Sequence, residues 1–288
     1  MQSFLSRIIG VLVLAVGLAG CSAIKLGYKT LPDMGYWWLD GYFDFGGEQA
    51  SQAKASLARL HAWHRATELP RLAEMLERME RLAPEAIAPQ QACAVVDEAY
   101  ARVWAALEQA EPEIVPIAAT LTPRQLRHLQ RKYQDKNMAW QKEWIDLPPE
   151  EQRDKRYEQL LDRIEMIYGR LDTAQREVLR RAMDASAWDP RRVLAERQRR
   201  QQDLVQTLRA IAGKPAAPDE ARALLHGYLQ RTLQSPDPAY RAYQDAFRQE
   251  GCRTFSAMHQ ATTPAQREQA VRRLRAYQRD LRELAARP

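Results

Sequence analysis

The sequence predicts an all-α fold, a multi-helix bundle of about nine amphipathic helices, with two packed helical subdomains as the variant arrangement. Three observations carry this. Past residue 47 glycine is rare, with only Gly169, Gly213, Gly227 and Gly251 remaining. Ala, Leu, Arg, Gln and Glu dominate, and these are good helix formers. No stretch reads as a β-alternating run bounded by turns.

Caps and breakers place the helices in order. The first runs from about Glu48 to Ala83, with a kink expected at Pro70; Leu57, Leu60, His61 and His64, then Leu72, Met75, Leu76 and Met79, recur at helical spacing. The second spans about Pro89 to Ala110, and its stripe Cys93, Val96, Tyr100, Val103 and Leu107 steps by three and four. A third runs from Thr122 to Ile145, and Pro148 and Pro149 end it and start a fourth, to Tyr168, with Gly169 as its cap. Further helices are expected over 173–187, 190–212, 219–233, 238–259 and 264–286. The segment 214–218, Lys-Pro-Ala-Ala-Pro, is a short linker and the weakest point for a boundary. Stripes of this kind need one another to be buried, so the helices must pack together.

The N-terminus has a different character. Arg7 is followed by thirteen apolar or glycine residues from Ile8 to Gly20. A spanning helix needs about 20, so the run fits the apolar region of an export signal. Leu18-Ala19-Gly20-Cys21 resembles the lipobox of bacterial lipoproteins. The resemblance implies cleavage between Gly20 and Cys21, diacylglycerol on the Cys21 sulfur and an acylated (palmitate-type) amine, an anchor of more than one chain. Ser22, where retained lipoproteins usually carry Asp, implies transfer to the outer membrane. Three segments follow: a removed signal, 1–20; a lipid-anchored aromatic segment, 21–47; and a periplasmic helical domain, 48–288.

The chain has 43 Lys and Arg against 37 acidic residues. Losing Arg7 with the signal leaves a net charge of +5, which permits but does not require attraction to anionic lipid or polysaccharide. With Cys21 lipidated, Cys93 and Cys252 remain as an even pair in an oxidising compartment, which points to a disulfide. The alternative is two buried thiols that never meet.

Three short segments look alike: Leu-Thr-Pro-Arg-Gln (121–125), Leu-Asp-Thr-Ala-Gln (171–175) and Thr-Thr-Pro-Ala-Gln (262–266). Thr122, Asp172 and Thr263 are good N-caps, and Gln125, Gln175 and Gln266 stand three residues on, so each reads as a capping box. The first segment is also similar to the Leu-Thr-x-x-Gln motif of periplasmic stress chaperones, all-helical holdases for unfolded clients; the other two depart from that motif.

Little in the sequence points to chemistry. His61, His64 and Glu68 have spacings that can serve a metal, but Trp63 and the surrounding leucines mark an ordinary helix surface near the core. The basic run 191–200 reads as a solvated helix face, with an anion-binding face as the alternative. No nucleophile elbow, phosphate loop or zinc-protease motif occurs. The expectation is therefore no catalytic residue, no metal, no cofactor and, for an exported chain without a reader motif, no nucleic acid.

Residues 28–45 hold seven of the chain's 23 aromatics. Three arrangements compete for Tyr36, Trp37, Trp38, Tyr42, Phe43 and Phe45. The leading one is a strap of rings packed into the helical body. The others are rings at the bilayer interface and an exposed patch for a protein partner. Pro32 and the glycines at 27, 35, 41, 46 and 47 disfavour a long helix here, with at most a short turn from Tyr36 to Tyr42. From Cys21 to Gln49, followed by a helical body, the chain resembles an uncharacterised family of bacterial lipoproteins, a domain of unknown function. The resemblance implies location and fold but no activity. The expected role is non-enzymatic binding or scaffolding in the envelope, toward an unknown envelope protein. A holdase acting on unfolded clients is the alternative, and an envelope enzyme the more distant one.

Overall fold

In the computed structural model, which describes residues 22–213 and 218–286, no residue is in a β-strand. The expected cleavage at Gly20 and lipidation at Cys21 lie outside the described residues. The helices are α1 (Ser22–Phe43), α2 (Gly47–Trp63), α3 (Leu69–Leu82), α4 (Pro89–Ala119), α5 (Pro123–Trp140), α6 (Pro149–Tyr168), α7 (Thr173–Asp184), α8 (Pro190–Ile211), α9 (Pro218–Leu233), α10 (Pro238–Gln260) and α11 (Pro264–Ala286).

Two departures from the sequence reading concern proline. The aromatic segment is not irregular: α1 runs through Pro32 for 22 residues. Proline removes one helical donor, here the one that would serve the carbonyl of Tyr28. His61 on α2 supplies it instead, with Nε2 3.0 Å from that carbonyl oxygen. The second departure is α4, which passes Ala110 and continues through Pro112 and Pro116 to Ala119. Its last turns bury Glu111, Val115 and Ala118. Apolar burial of Val115 and Ala118 counters the loss of two backbone bonds, and His226 pairs with the buried Glu111 at 2.7 Å.

The kink expected at Pro70 takes a specific form. A π-helical turn, His64–Glu68, joins α2 to α3. The Leu69 amide bonds the His64 carbonyl, five residues back. The wider turn absorbs the proline ring without breaking the rod. A second π turn, Gln141–Ile145, ends the α5 rod before Pro148 and Pro149.

The helices after the 213–218 linker pack on those before it. Leu225, Tyr228 and Leu229 of α9 share one core with Val115 and Ala118 of α4, Leu126 and Leu129 of α5, and Val205, Leu208 and Ile211 of α8. α11 lies along α3, where Arg275 and Gln278 hold Glu80 at 2.6 and 2.7 Å and Arg282 holds Glu77 at 2.9 Å. The described helices on the two sides of the linker are thus in direct contact.

The three Gln capping motifs do more than cap. Gln125 accepts the Thr122 amide at 2.9 Å and Gln175 accepts that of Asp172 at 3.1 Å. Gln266 accepts the Thr263 amide at 2.9 Å, and Gln49 accepts that of Gly46 at 3.1 Å. These four form two clasps. Gln125 donates to Gln49 Oε1 at 2.6 Å and to the Asp44 carbonyl, while Gln49 donates to the Thr120 carbonyl. Gln175 donates to Gln266 Oε1 at 2.7 Å and to the Ala261 carbonyl, while Gln266 donates to the Arg170 carbonyl. Each clasp pins two helix N-termini side by side, α2 with α5 and α7 with α11.

Candidate functional site

A cavity of about 1000 Å³ opens between α3, α4, α6, α10 and α11. Its wall is mostly apolar: Met79 and Leu82 from α3, Val95, Val96 and Trp104 from α4, Ile167 from α6, Phe247 and Phe255 from α10, and Leu274 from α11. Small-molecule sites run from about 300 to 1,000 Å³ and are mostly apolar with a few placed polar groups. This one lies at the large end.

Its position follows from α4. The stripe visible in the sequence divides its work along the helix. Leu107 packs against the core shared with α8 and α9, and Trp104, outside the stripe, touches both that core and the cavity. Val96 and Tyr100, about three and two turns before Leu107, line the cavity. Tyr100, on the apolar stripe of α4, is 46% exposed, and it marks the mouth. The disulfide Cys93–Cys252 ties α4 to α10 beside the wall, with Cα atoms 5.4 Å apart, and Cys252 itself lines the cavity.

A polar brace stands behind the wall. His259 is fully buried. Its Nε2 lies 2.7 Å from the Glu85 carbonyl, which can only accept, so Nε2 carries the hydrogen. Nδ1 then accepts from the Tyr168 hydroxyl at 2.7 Å. Burial lowers the His259 pKa below its ordinary 6.5 and pushes that of Tyr168 up to about 12. The neutral pair fixes the loop after α3 against α6 and α10.

At the mouth, Arg248 pairs with Asp97 at 2.7 Å and approaches Asp245 at 4.0 Å. Arg241 donates to the Ser235 carbonyl at 2.7 Å. The chemistry this arrangement offers is the seclusion of apolar matter, with polar groups confined to the rim.

The other residues singled out in the sequence fall elsewhere. His61, His64 and Glu68 are not gathered on one ligand: His61 and His64 both grip Tyr28, the latter at 3.0 Å from its hydroxyl, whereas Glu68 is held by Arg71 at 2.9 Å. The basic run is a solvated face only at Arg191 and Arg192, which are exposed. Arg199 and Arg200 turn in to the buried Glu196 at 2.9 and 2.7 Å, and Arg197 lies over the Trp140 ring at 4.4 Å.

The aromatic segment divides in two. Tyr36 is buried, and Tyr42, Phe43 and Phe45 pack against the main core. Trp37 and Trp38 do not follow them; they are 69% and 40% exposed, with Leu26 at 67% and Met34 at 49%. The strap reading therefore holds for four of the six rings and fails for the two tryptophans, because a helix turns a consecutive pair of positions away from the face that Tyr36 occupies. Among the described residues, no helix is long and apolar enough to cross a membrane, and no group of three or more His, Cys, Asp or Glu is placed to hold a metal.

A family model described as a family of unknown function, DUF6279, matches residues 41–237, and the chain belongs to that family. No curated protein and no solved structure matches the chain at a significant level.

Proposed function

We propose that this member of DUF6279 is a periplasm-facing lipoprotein, anchored in the outer membrane through Cys21, with a non-enzymatic binding role in the cell envelope. The ligand is apolar or carries a long apolar part. The observation that carries the binding role is the cavity, whose wall of aliphatic and aromatic side chains accommodates hydrocarbon while its charged groups stand at the rim. The anchor rests on the sequence, through Leu18-Ala19-Gly20-Cys21 and Ser22. Titration with a polarity-sensitive fluorescent acyl probe tests the binding role. Ala101 lines the cavity and is exposed, so Ala101→Trp fills the mouth without crowding the core. Saturable binding to the wild-type chain, lost in that variant, supports the reading; equal binding by both removes the cavity from the account.

The holdase alternative draws on the same concavity, which is open to solvent at Tyr100. Its separate test is suppression of aggregation of an unfolded client, and a chain without that effect is not a holdase.

A further inference from the structure

The outward face of α1 has a chemistry of its own. Leu26, Thr30, Met34, Trp37 and Trp38 follow helical spacing on the side opposite the buried Tyr28, and all five are exposed. The Thr30 hydroxyl donates to the carbonyl of Gly27 at 3.0 Å, so its polarity is met within the helix. Lys29 and Asp33 are also exposed and flank the apolar residues. A tryptophan pair beside aliphatic side chains, with charges at the edge, is the composition that settles at the headgroup level of a bilayer.

We infer that this face lies on the membrane surface, so that α1 is an interfacial helix and a second attachment beside the lipid on Cys21. The inference rests on the reading of Cys21 as the anchor. Its geometric basis is the absence of slack: α1 begins at Ser22, the residue after Cys21. At about 1.5 Å per residue, Leu26 stands roughly 6 Å along the helix from Ser22 and Trp37 roughly 22 Å. A helix tethered at its first residue can lie along the lipid surface with no intervening linker, which brings Leu26, Met34, Trp37 and Trp38 to it when the outward face is turned down. Asp33 and Lys29 fix the depth, since charged groups oppose entry into hydrocarbon but tolerate the headgroup region. The inner face of the same helix is already committed, with Lys25 held by Asp280 at 3.2 Å and Tyr28 in a core with Leu69 and Leu284. The body of the protein therefore sits at a fixed orientation over the membrane.

The test uses the full lipidated chain in vesicles of phosphatidylethanolamine and phosphatidylglycerol carrying bromine on the upper acyl carbons. The signal of Trp37 and Trp38 is the difference between the wild-type chain and the W37F/W38F variant. Mass spectrometry of the N-terminal peptide records the state of Cys21 in the same sample. The expected result is a blue-shifted difference emission, quenched by the brominated lipid and shielded from aqueous iodide. A nitroxide on Met34→Cys, the sole free thiol once Cys21 is acylated and Cys93–Cys252 is closed, reads the same depth without altering either tryptophan. Iodide quenching on a chain whose Cys21 is acylated overturns the inference and leaves the anchor standing. Protection from both quenchers also overturns it, and points to a protein covering the face. An unacylated Cys21 overturns the anchor and the inference together.

Discussion

His61 donates from Nε2 to the main-chain carbonyl of Tyr28, the acceptor that Pro32 leaves without its helical donor. The exchange explains how a segment with an internal proline remains one helix, and it makes α2 the support of α1. An unmet carbonyl at a partly buried site costs about 1–3 kcal/mol.

A double-mutant cycle isolates this bond. His61→Phe is expected to destabilise the chain by about 1–2 kcal/mol. In a Pro32→Ala background the same change is expected to cost much less, because residue 32 then offers its own N–H to Tyr28. Urea unfolding of the four proteins gives the comparison, and equal costs in both backgrounds would show that the histidine acts only by packing.

Acidification is expected to weaken the fold in a histidine window before the carboxylates respond. Burial is the leading cause that lowers the pKa values of His61, His64 and His259 below the ordinary 6.5. The unfolded chain then binds more protons than the folded one near that pH, so stability is full above about 6.5 and declines as pH falls through it. Glu196 and Asp203, whose pKa values lie below the usual carboxylate range because arginine hydrogen bonds outweigh their burial, contribute stability that is lost only at lower pH. Thermal midpoints measured from pH 8 to pH 4 check the order. A variant with His259→Gln, which retains a donor and an acceptor, is expected to flatten the first decline.

The paired clasps give a prediction about additivity. Gln49→Ala and Gln125→Ala each remove a cap and a bridge, at an expected cost of about 1–2 kcal/mol. Because each side chain is a partner of the other, the double variant is expected to cost less than the sum. Gln175 and Gln266 are expected to behave alike. Full additivity within either pair would contradict the clasp.

Reduction of Cys93–Cys252 is expected to lower the thermal midpoint, since the bridge closes a loop of sequence separation 159. Chain entropy sets an upper value near 5 kcal/mol, and typical values run from about 2 to 4. As the bridge stands beside the cavity, reduction is also expected to weaken acyl-probe binding. A change in stability with unchanged binding would separate the disulfide from the site.

Much of the fold was legible in the sequence because its signals are local. The three-and-four stripes, the caps at Thr122, Asp172 and Thr263, and the breakers at Pro148, Gly169 and Gly213 act within one or two turns, and the nine expected helices are present, the first as α2 and α3. What the sequence obscured depends on distant partners. Nothing near Pro32 announces that His61 will replace its missing donor, and nothing near Pro112 announces that Glu111 will meet His226 at 2.7 Å and settle the end of α4 in the core. The same holds for the arginines of 191–200: their number was plain, but Glu196, Trp140 and the buried geometry that occupies them were not. The cavity was the least legible feature, since five helices each contribute a few apolar residues that look like core. Tyr100, large and on an apolar stripe yet exposed, is the one residue that betrays it once the structure is known.

The most direct test of the proposed role is native mass spectrometry of the chain extracted from membranes in a mild detergent. The expected result is a population carrying a discrete apolar or amphiphilic ligand beyond the mass of the acylated protein, and its loss in Ala101→Trp. A single species at the mass of the acylated chain alone, identical in behaviour to Ala101→Trp, would contradict it.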